Sequence, residues 1–363
     1  YLSRLFAINS DQTNGRMLSQ RNDFRSLGYN LYGGGVIDRL PDEPGSLLMT
    51  QIKAQRDTAG TLVGSTNREN GLMVVKINTE TGKTVEMERA RPENQEFITD
   101  GFGNVRIRGF SFDVRDGYNN DKVTYSFRRP GKTEWEKLSE RNTQTHEGFD
   151  PWAVDPKLNV AYGFSKRDGR QALYKAALDG SGDIELVYAN PEVDVDGLER
   201  IGPHQRVVGV SYATDTRHVE YFDPEIAKLR TSLGKALPDK GIIGILDSNR
   251  DETRLLIHGS SDTHAGTWYV LDRTTKRMTP VLEARPQLNG VQAAPMKAIR
   301  YQAADGTMVP AYLTLPVGGA QKNIPAIVLP HGGPSARDEW GFDWLTQYFA
   351  AKGYAVIQPQ FRG

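Results

Sequence analysis

A mostly β chain that turns α/β over its last residues is predicted by three observations. Strand and turn signals recur roughly every 40 to 50 residues through most of its 363 residues. Within those repeats only strand and turn signals are read. From Ile324 to Gly363 the pattern changes to a short apolar strand, a glycine turn, a helical stretch and a second apolar strand.

The repeats come first in the chain. LFAIN before DQTNGRML, MVVKIN before TETGKTVEM, YSFRRPGKTEWEKL, LYKAALDGSGDIELV, HVEYFDPE and WYVLDRTTKRMTPVL each run a strand into an Asn/Asp/Gly-rich turn and back. With Asn9, Asn78, Pro130, Asp179, Asp223 and Asp272 as turn marks, the spacings are 69, 52, 49, 44 and 49. The long first interval holds a polar insertion between Gln51 and Gly71. Apolar runs such as LLMTQI, KVTYSF, NVAYGF, RVVGVSY and RLLIHGS precede the later marks and supply inner strands. This is the pattern of β-propeller blades, which cannot bury their faces singly and must stack around an axis. The first mark lacks inner strands, so the expectation is a propeller incomplete at its N-terminus, spanning 1–288.

Blade signals stop around Arg285 to Pro295, RPQLNGVQAAP, which places a domain boundary there. With no long flexible linker, the two domains are expected to pack against each other. Lys297 to Ala303 and Met308 to Leu315 then flank an Asp305-Gly306 turn, with Ile299, Tyr301, Val309, Ala311 and Leu313 at alternate positions. That reads as an antiparallel hairpin. Ala326 to Leu329, between Pro325 and Pro330, suits a strand buried on both faces of a parallel sheet. It ends at His331-Gly332-Gly333-Pro334, where consecutive glycines allow a sharp turn and leave backbone N–H groups open to a ligand oxygen. Phe342, Leu345 and Phe349 mark one face of a helix over about Phe342 to Lys352, stopped by Gly353. Tyr354 to Ile357 is the second buried strand, giving a parallel crossover.

A hairpin, buried strand, glycine turn, helix and buried strand is the order in which an α/β-hydrolase domain begins. HGGP, a helix ending in AAKGYAV, and QPQFRG together resemble the prolyl oligopeptidase family of serine peptidases, in particular its acylaminoacyl peptidase and dipeptidyl peptidase-like branches. The resemblance implies a propeller, seven-bladed in the family, followed here by residues 289–363 as the N-terminal portion of the hydrolase domain. It also implies that Gly333 supplies an oxyanion N–H, with Gly332 and His331 shaping the turn. Phe361 and Arg362, at the carboxyl edge of the sheet, are candidates for substrate contact.

The remaining chemistry is bland. No G-x-S-x-G occurs, and the near matches at Gly163 to Arg167 and Gly209 to Ala213 lie in blade strands. His258, Ser260, Ser261, Asp262 and His264 have the residue types of a triad, but sit in a hairpin turn where short polar residues are turn formers. Asp113, Asp116, Asn119, Asn120 and Asp121 miss the spacing of a calcium loop, and His146, His204 and His218 stand alone. No metal site and no cofactor are expected. Basic and acidic residues balance at 45 each, with no basic run, which gives no footprint for nucleic acid. No apolar stretch approaches membrane-spanning length. Zero cysteines exclude disulfides and thiolate chemistry.

By the resemblance, catalytic Ser, Asp and His fall after Gly363, so residues 1–363 alone are expected to be inactive. The C-terminal catalytic portion is an expected partner, in the same chain or as a separate fragment, and without it Ala326 to Leu329 and Tyr354 to Ile357 would be exposed edges. The expected substrate is a short peptide, with the propeller restricting its size. A homo-oligomer is open, as is the compartment, with a periplasmic or secreted location favoured over a cytoplasmic one. Two alternatives stand beside this reading: a non-catalytic propeller that binds a partner, and an α/β-hydrolase acting on esters.

Overall fold

The computed structural model describes residues 5–18, 34–53, 71–112, 121–237, 239–319, 321–333 and 336–361. A short hairpin of β1 (Phe6–Ala7) and β2 (Arg16–Met17) comes first. Next is an up-and-down sheet of β3 (Gly35–Asp38), β4 (Ser46–Lys53), β5 (Gly71–Asn78) and β6 (Thr84–Arg91). The second comprises β7 (Asn94–Thr99), β8 (Val105–Phe110), β9 (Lys122–Phe127) and β10 (Glu136–Asn142). The third holds β11 (Asp150–Asp155), β12 (Val160–Arg167), β13 (Arg170–Ala177) and β14 (Ile184–Tyr188). A three-stranded sheet of β15 (Val195–Ile201), β16 (Arg206–Ala213) and β17 (Arg217–Tyr221) runs into helix α1 (Pro224–Ala236). The last antiparallel sheet is β18 (Ile242–Ser248), β19 (Arg254–Ser260), β20 (Thr267–Asp272) and β21 (Arg277–Glu283).

Burial explains the repeat. Inner strands are apolar runs covered on both faces, as in β4 and β16, whereas the outer strands β6, β14 and β21 are largely exposed. Ile107, Tyr125, Phe127, Phe149, Ala161 and Leu178 make one core cluster, and Ile201, Val208, Ile243, Ile245, Leu255 and Ile257 another. Each fully buried aliphatic or aromatic side chain contributes about 1.5–3 kcal/mol. Turn marks close their hairpins by side-chain capping. Asn78 Oδ1 accepts from the N–H of Glu80 and Thr81 at 3.0 and 2.7 Å, and Asp179 and Asp272 accept from Ser181 and Thr275 at 2.9 and 2.8 Å.

Asp223 departs from that pattern. It caps α1 rather than turning into a fourth strand, accepting from the N–H of Glu225 and Ile226 at 2.9 and 3.2 Å, with Pro224 at the first helical position. Ile226 and Leu233 of α1 fill the same core cluster as β19.

After a 3-10 turn at Pro286–Leu288 come β22 (Met296–Gln302), β23 (Met308–Thr314), β24 (Ala326–Val328), α2 (Trp344–Ala351) and β25 (Ala355–Pro359). The strand order is β22-β23-β25-β24, with β25 antiparallel to β23 and parallel to β24. Ile299 faces Ala311 and Tyr301 faces Val309 across the hairpin. Asp343 caps α2 by accepting from the Thr346 N–H at 2.7 Å, and Gly353 ends it at φ +91°. Of the two strands expected to be exposed edges in residues 1–363 alone, β24 is one: it lies at the edge of the described sheet, with Val328 65% exposed, and is not buried on both faces. β25 is not an exposed edge, because β23 and β24 flank it, and Val356 is fully buried. No described helix is long and apolar enough to cross a membrane.

Contacts divide the chain into two compact units, Tyr1–Pro191 with Pro203–Val207 and Glu192–Gly202 with Val208–Gly363. The α/β strands therefore share a unit with β15 and β18 to β21.

Within the first unit, the Tyr125 hydroxyl donates to Asp150 Oδ1 at 2.7 Å and also lies within hydrogen-bonding reach of Glu96. One hydroxyl proton cannot serve two carboxylates. Burial, chiefly, raises the Glu96 carboxyl above its ordinary value of 4.5, with Asp150 adding repulsion and Tyr125 and Arg141 opposing. A raised folded-state value means that the native state holds the proton more tightly. Its stabilising effect is complete below the unfolded value and is lost as pH rises through the folded one. Glu96→Gln should therefore melt above the parent at pH 7, the difference vanishing below about pH 4. Calorimetry across that range checks the sign, which a lower melting temperature at pH 7 would reverse.

Candidate functional site

The β24–α2–β25 unit puts the loop leaving β24 beside the carboxyl end of β25. Leu329 N–H donates to Ile357 O at 2.9 Å, carrying the parallel pairing to the start of the loop. His331 then stacks on Phe361, with centroids 4.1 Å apart and planes 13° from parallel. Its Nδ1 lies 2.7 Å from Gly332 O; a carbonyl only accepts, so Nδ1 carries the hydrogen. Its Nε2 is buried and has no hydrogen-bond partner among the described residues, and the same holds for Asp338 Oδ2. Burial raises the Asp338 carboxyl, with the His331 ring partly offsetting the shift.

Gly332 and Gly333 are exposed. Gly332 does not occupy the positive-φ region, and a Cβ built on it would meet no atom within 4 Å. Among the described residues nothing crowds Gly332, which suits close approach of a ligand. Pro334 and Arg362 lie outside the described residues. Phe361 is 39% exposed and lends its ring to His331.

Beyond the glycines, residues the sequence reading passed over hold the loop. Gln360 grips the Asp338 backbone at two points, Nε2 donating to its carbonyl at 2.6 Å and Oε1 accepting from its N–H at 3.1 Å. Arg337 donates to the carbonyls of Ala213 and Thr214 at 2.8 and 2.6 Å. Glu339 pairs with Arg217, and Trp340 Nε1 donates to Met296 O at 3.0 Å. The sequence signal was the charged string Arg337-Asp338-Glu339 directly after the glycine turn.

The other candidates lie in strands and turns away from the glycine loop's own residues. Ser165 and Ser211 lie within β12 and β16, and Ser211 accepts from Arg217 at 3.3 Å. Asp262 accepts from Met296 N–H at 2.8 Å and from Gln347 through its carbonyl at 3.1 Å, so the His258 to His264 turn anchors the segment before β22 and helix α2. His204 Nδ1 sits 2.7 Å from Gly101 O and its ring stacks on Phe102. Asp113, Asp116, Asn119 and Asn120 lie outside the described residues. Among those described, no group of three or more His, Asp or Glu is placed to hold a metal.

No family model matches the chain. In sequence it is 28% identical over 246 residues to dipeptidyl aminopeptidase BIII of Pseudoxanthomonas mexicana, covering 65% of this chain and 35% of the relative. It is also 28% identical over 301 residues to dipeptidyl peptidase family member 6 of Caenorhabditis elegans, covering 74% of this chain and 39% of that one. The chain thus spans well under half the length of these relatives. In structure it is similar to the acylaminoacyl peptidase of Pyrococcus horikoshii, with a TM-score of 0.57, 14% identity, and 98% of this chain on 54% of that one. Prolyl oligopeptidase B of Galerina marginata gives a TM-score of 0.58 at 13% identity, with 97% of this chain on 47% of that one. At such identities the shared feature is the fold, a β-propeller followed by the first strands and helix of an α/β-hydrolase domain. In sequence the chain resembles the dipeptidyl peptidases, in fold the acylaminoacyl peptidases and prolyl oligopeptidases, and through both the prolyl oligopeptidase family of serine peptidases.

Proposed function

We propose that the full-length protein is a serine peptidase of the prolyl oligopeptidase type, hydrolysing short peptides through an acyl-enzyme. The observation that carries this reading is the exposed Gly332-Gly333 backbone at the carboxyl end of β24, in a chain whose sequence relatives are dipeptidyl peptidases. In open α/β sheets, ligands bind outside the carboxyl ends of the strands, and the loop after the third strand of an α/β-hydrolase supplies an oxyanion donor. In this reading residues 1–288 form the propeller that limits substrate size, and residues 289–363 open the catalytic domain. The Gly333 N–H meets the oxygen that becomes negative when a serine attacks the scissile carbonyl. A histidine takes the serine proton and returns it to the leaving amine, and an aspartate holds the imidazole. His331 braces the turn through its bond to Gly332 O and its stacking on Phe361.

A donor of this kind stabilises the transition state by about 2.7 to 4 kcal/mol. In the full-length protein, Gly333→Ala should crowd the approach of that oxygen and lower kcat, and Gly332→Ala should do so less. Gly332→Ala should leave stability within about 0.5 kcal/mol of the parent, since its methyl meets open space. Unchanged turnover in Gly333→Ala would remove the oxyanion role.

Peptide and ester hydrolysis share this geometry, so assays on peptidyl anilides and on simple aryl esters are run in parallel. Appreciable turnover of the anilide is expected. Hydrolysis of the ester alone would move the protein to the esterases, and binding without turnover of either would favour a propeller that only holds a partner.

A further inference from the structure

We propose that the turn joining β16 and β17 positions the oxyanion loop, with Arg217 as its positioning residue and Arg337 as its counterpart on the loop. This rests on the oxyanion role given above to Gly333.

Between the glycines and the cap of α2, residues 336–342 adopt no regular helix or strand. Such a segment keeps one conformation only if side chains fix it from outside. On one side Gln360 holds the Asp338 backbone. On the other, two arginines cross in opposite directions. Arg337 leaves the loop and donates to Ala213 O and Thr214 O at the end of β16. Arg217 leaves the start of β17 and donates to Glu339 on the loop, its Nε at 2.9 Å from Oε2.

Arg217 is itself oriented. Its Nη1 and Nη2 donate to Asp196 Oδ1 and Oδ2 of β15 at 2.8 and 3.0 Å. One planar guanidinium thus serves two carboxylates by paired bonds, an arrangement that an ammonium cannot reproduce. The turn is fixed in its own right. Asp215 O accepts from the Tyr312 hydroxyl at 2.8 Å, and its carboxylate accepts from Arg300 at 3.1 and 3.3 Å. The β16–β17 turn is therefore bonded both to the β22–β23 hairpin and to the loop after the glycines.

The ordinary reading of Arg217 is a surface ion pair. Arg217, Asp196 and Glu339 have side chains 32, 39 and 38% exposed, so solvent screening makes the pair's worth to global stability small. Placement is a different matter, since a shift of about 1 Å in a reacting group can cost roughly 100-fold in rate. The two readings therefore separate by where the effect of a substitution appears.

The test uses the full-length protein with Arg217→Ala, Arg217→Lys and Glu339→Gln. Hydrogen exchange of peptides covering residues 331–341 is measured together with kcat and KM on the anilide substrate. The expected result is faster exchange in those peptides and not in the β18–β21 sheet. It comes with kcat lower by about 10- to 100-fold and KM within about twofold. Arg217→Lys, which keeps the charge and leaves folding least disturbed, should fail to restore either. Unchanged exchange over 331–341 in all three variants would overturn the proposal, as would faster exchange with normal kcat or full rescue by lysine. If the parent turns over neither anilide nor ester, the peptidase reading falls. Exchange then decides the clamp separately: faster exchange confined to 331–341 supports it, and unchanged exchange removes it.

Discussion

The placement of β25 between β23 and β24 is the constraint on which the α/β part depends. Its antiparallel register with β23 and parallel register with β24 bring the carboxyl end of one strand beside the loop leaving the other. Gln360 and Phe361 can reach Asp338 and His331 only because of that register. A slip by one residue would turn Val356, now fully buried, toward the other face and take both partners away together. The glycine turn is thus positioned by backbone pairing, and its own residues are left free to present bare backbone.

The repeats obey a simpler rule. Hairpins closed by Asn and Asp caps return each strand on its neighbour, and burial falls from the apolar inner strands to the solvated outer ones. This leaves the connections free to vary. Where β17 leads into Asp223-Pro224, the chain makes a helix and still fills the same core with Ile226 and Leu233.

Local signals were the legible ones. The turn marks at Asn78, Asp179 and Asp272 and the stop of α2 act within a few residues, so their chemistry is written in consecutive letters. Helix α1 was written there too, as an Asp-Pro start with Glu225 behind it, but the spacing of the marks overrode it. The exposure of β25 was misjudged because strand order decides which strands flank it, whereas an apolar run states only what a strand prefers. At Gly332 the pair of glycines was legible, whereas its φ, which lies outside the left-handed region, depends on the path of the loop. The charged string Arg337-Asp338-Glu339 was visible, but its pairing with Arg217 and Asp196 was not legible. The paired residues are far apart in the chain, and each alone is an ordinary surface charge.

What unites these features in the proposed reading is a loop bonded on two sides so that the exposed Gly332-Gly333 backbone is offered to an incoming carbonyl oxygen. The most direct measurement is a crystal structure of the full-length protein after reaction with a peptidyl phosphonate, whose tetrahedral phosphorus carries the oxygen of the transition state. The account predicts a covalent adduct on serine with its phosphonyl oxygen about 2.7–3.1 Å from the Gly333 nitrogen. An adduct whose oxygen points away from that nitrogen would contradict the assignment of the loop, and no adduct at all would contradict the peptidase reading.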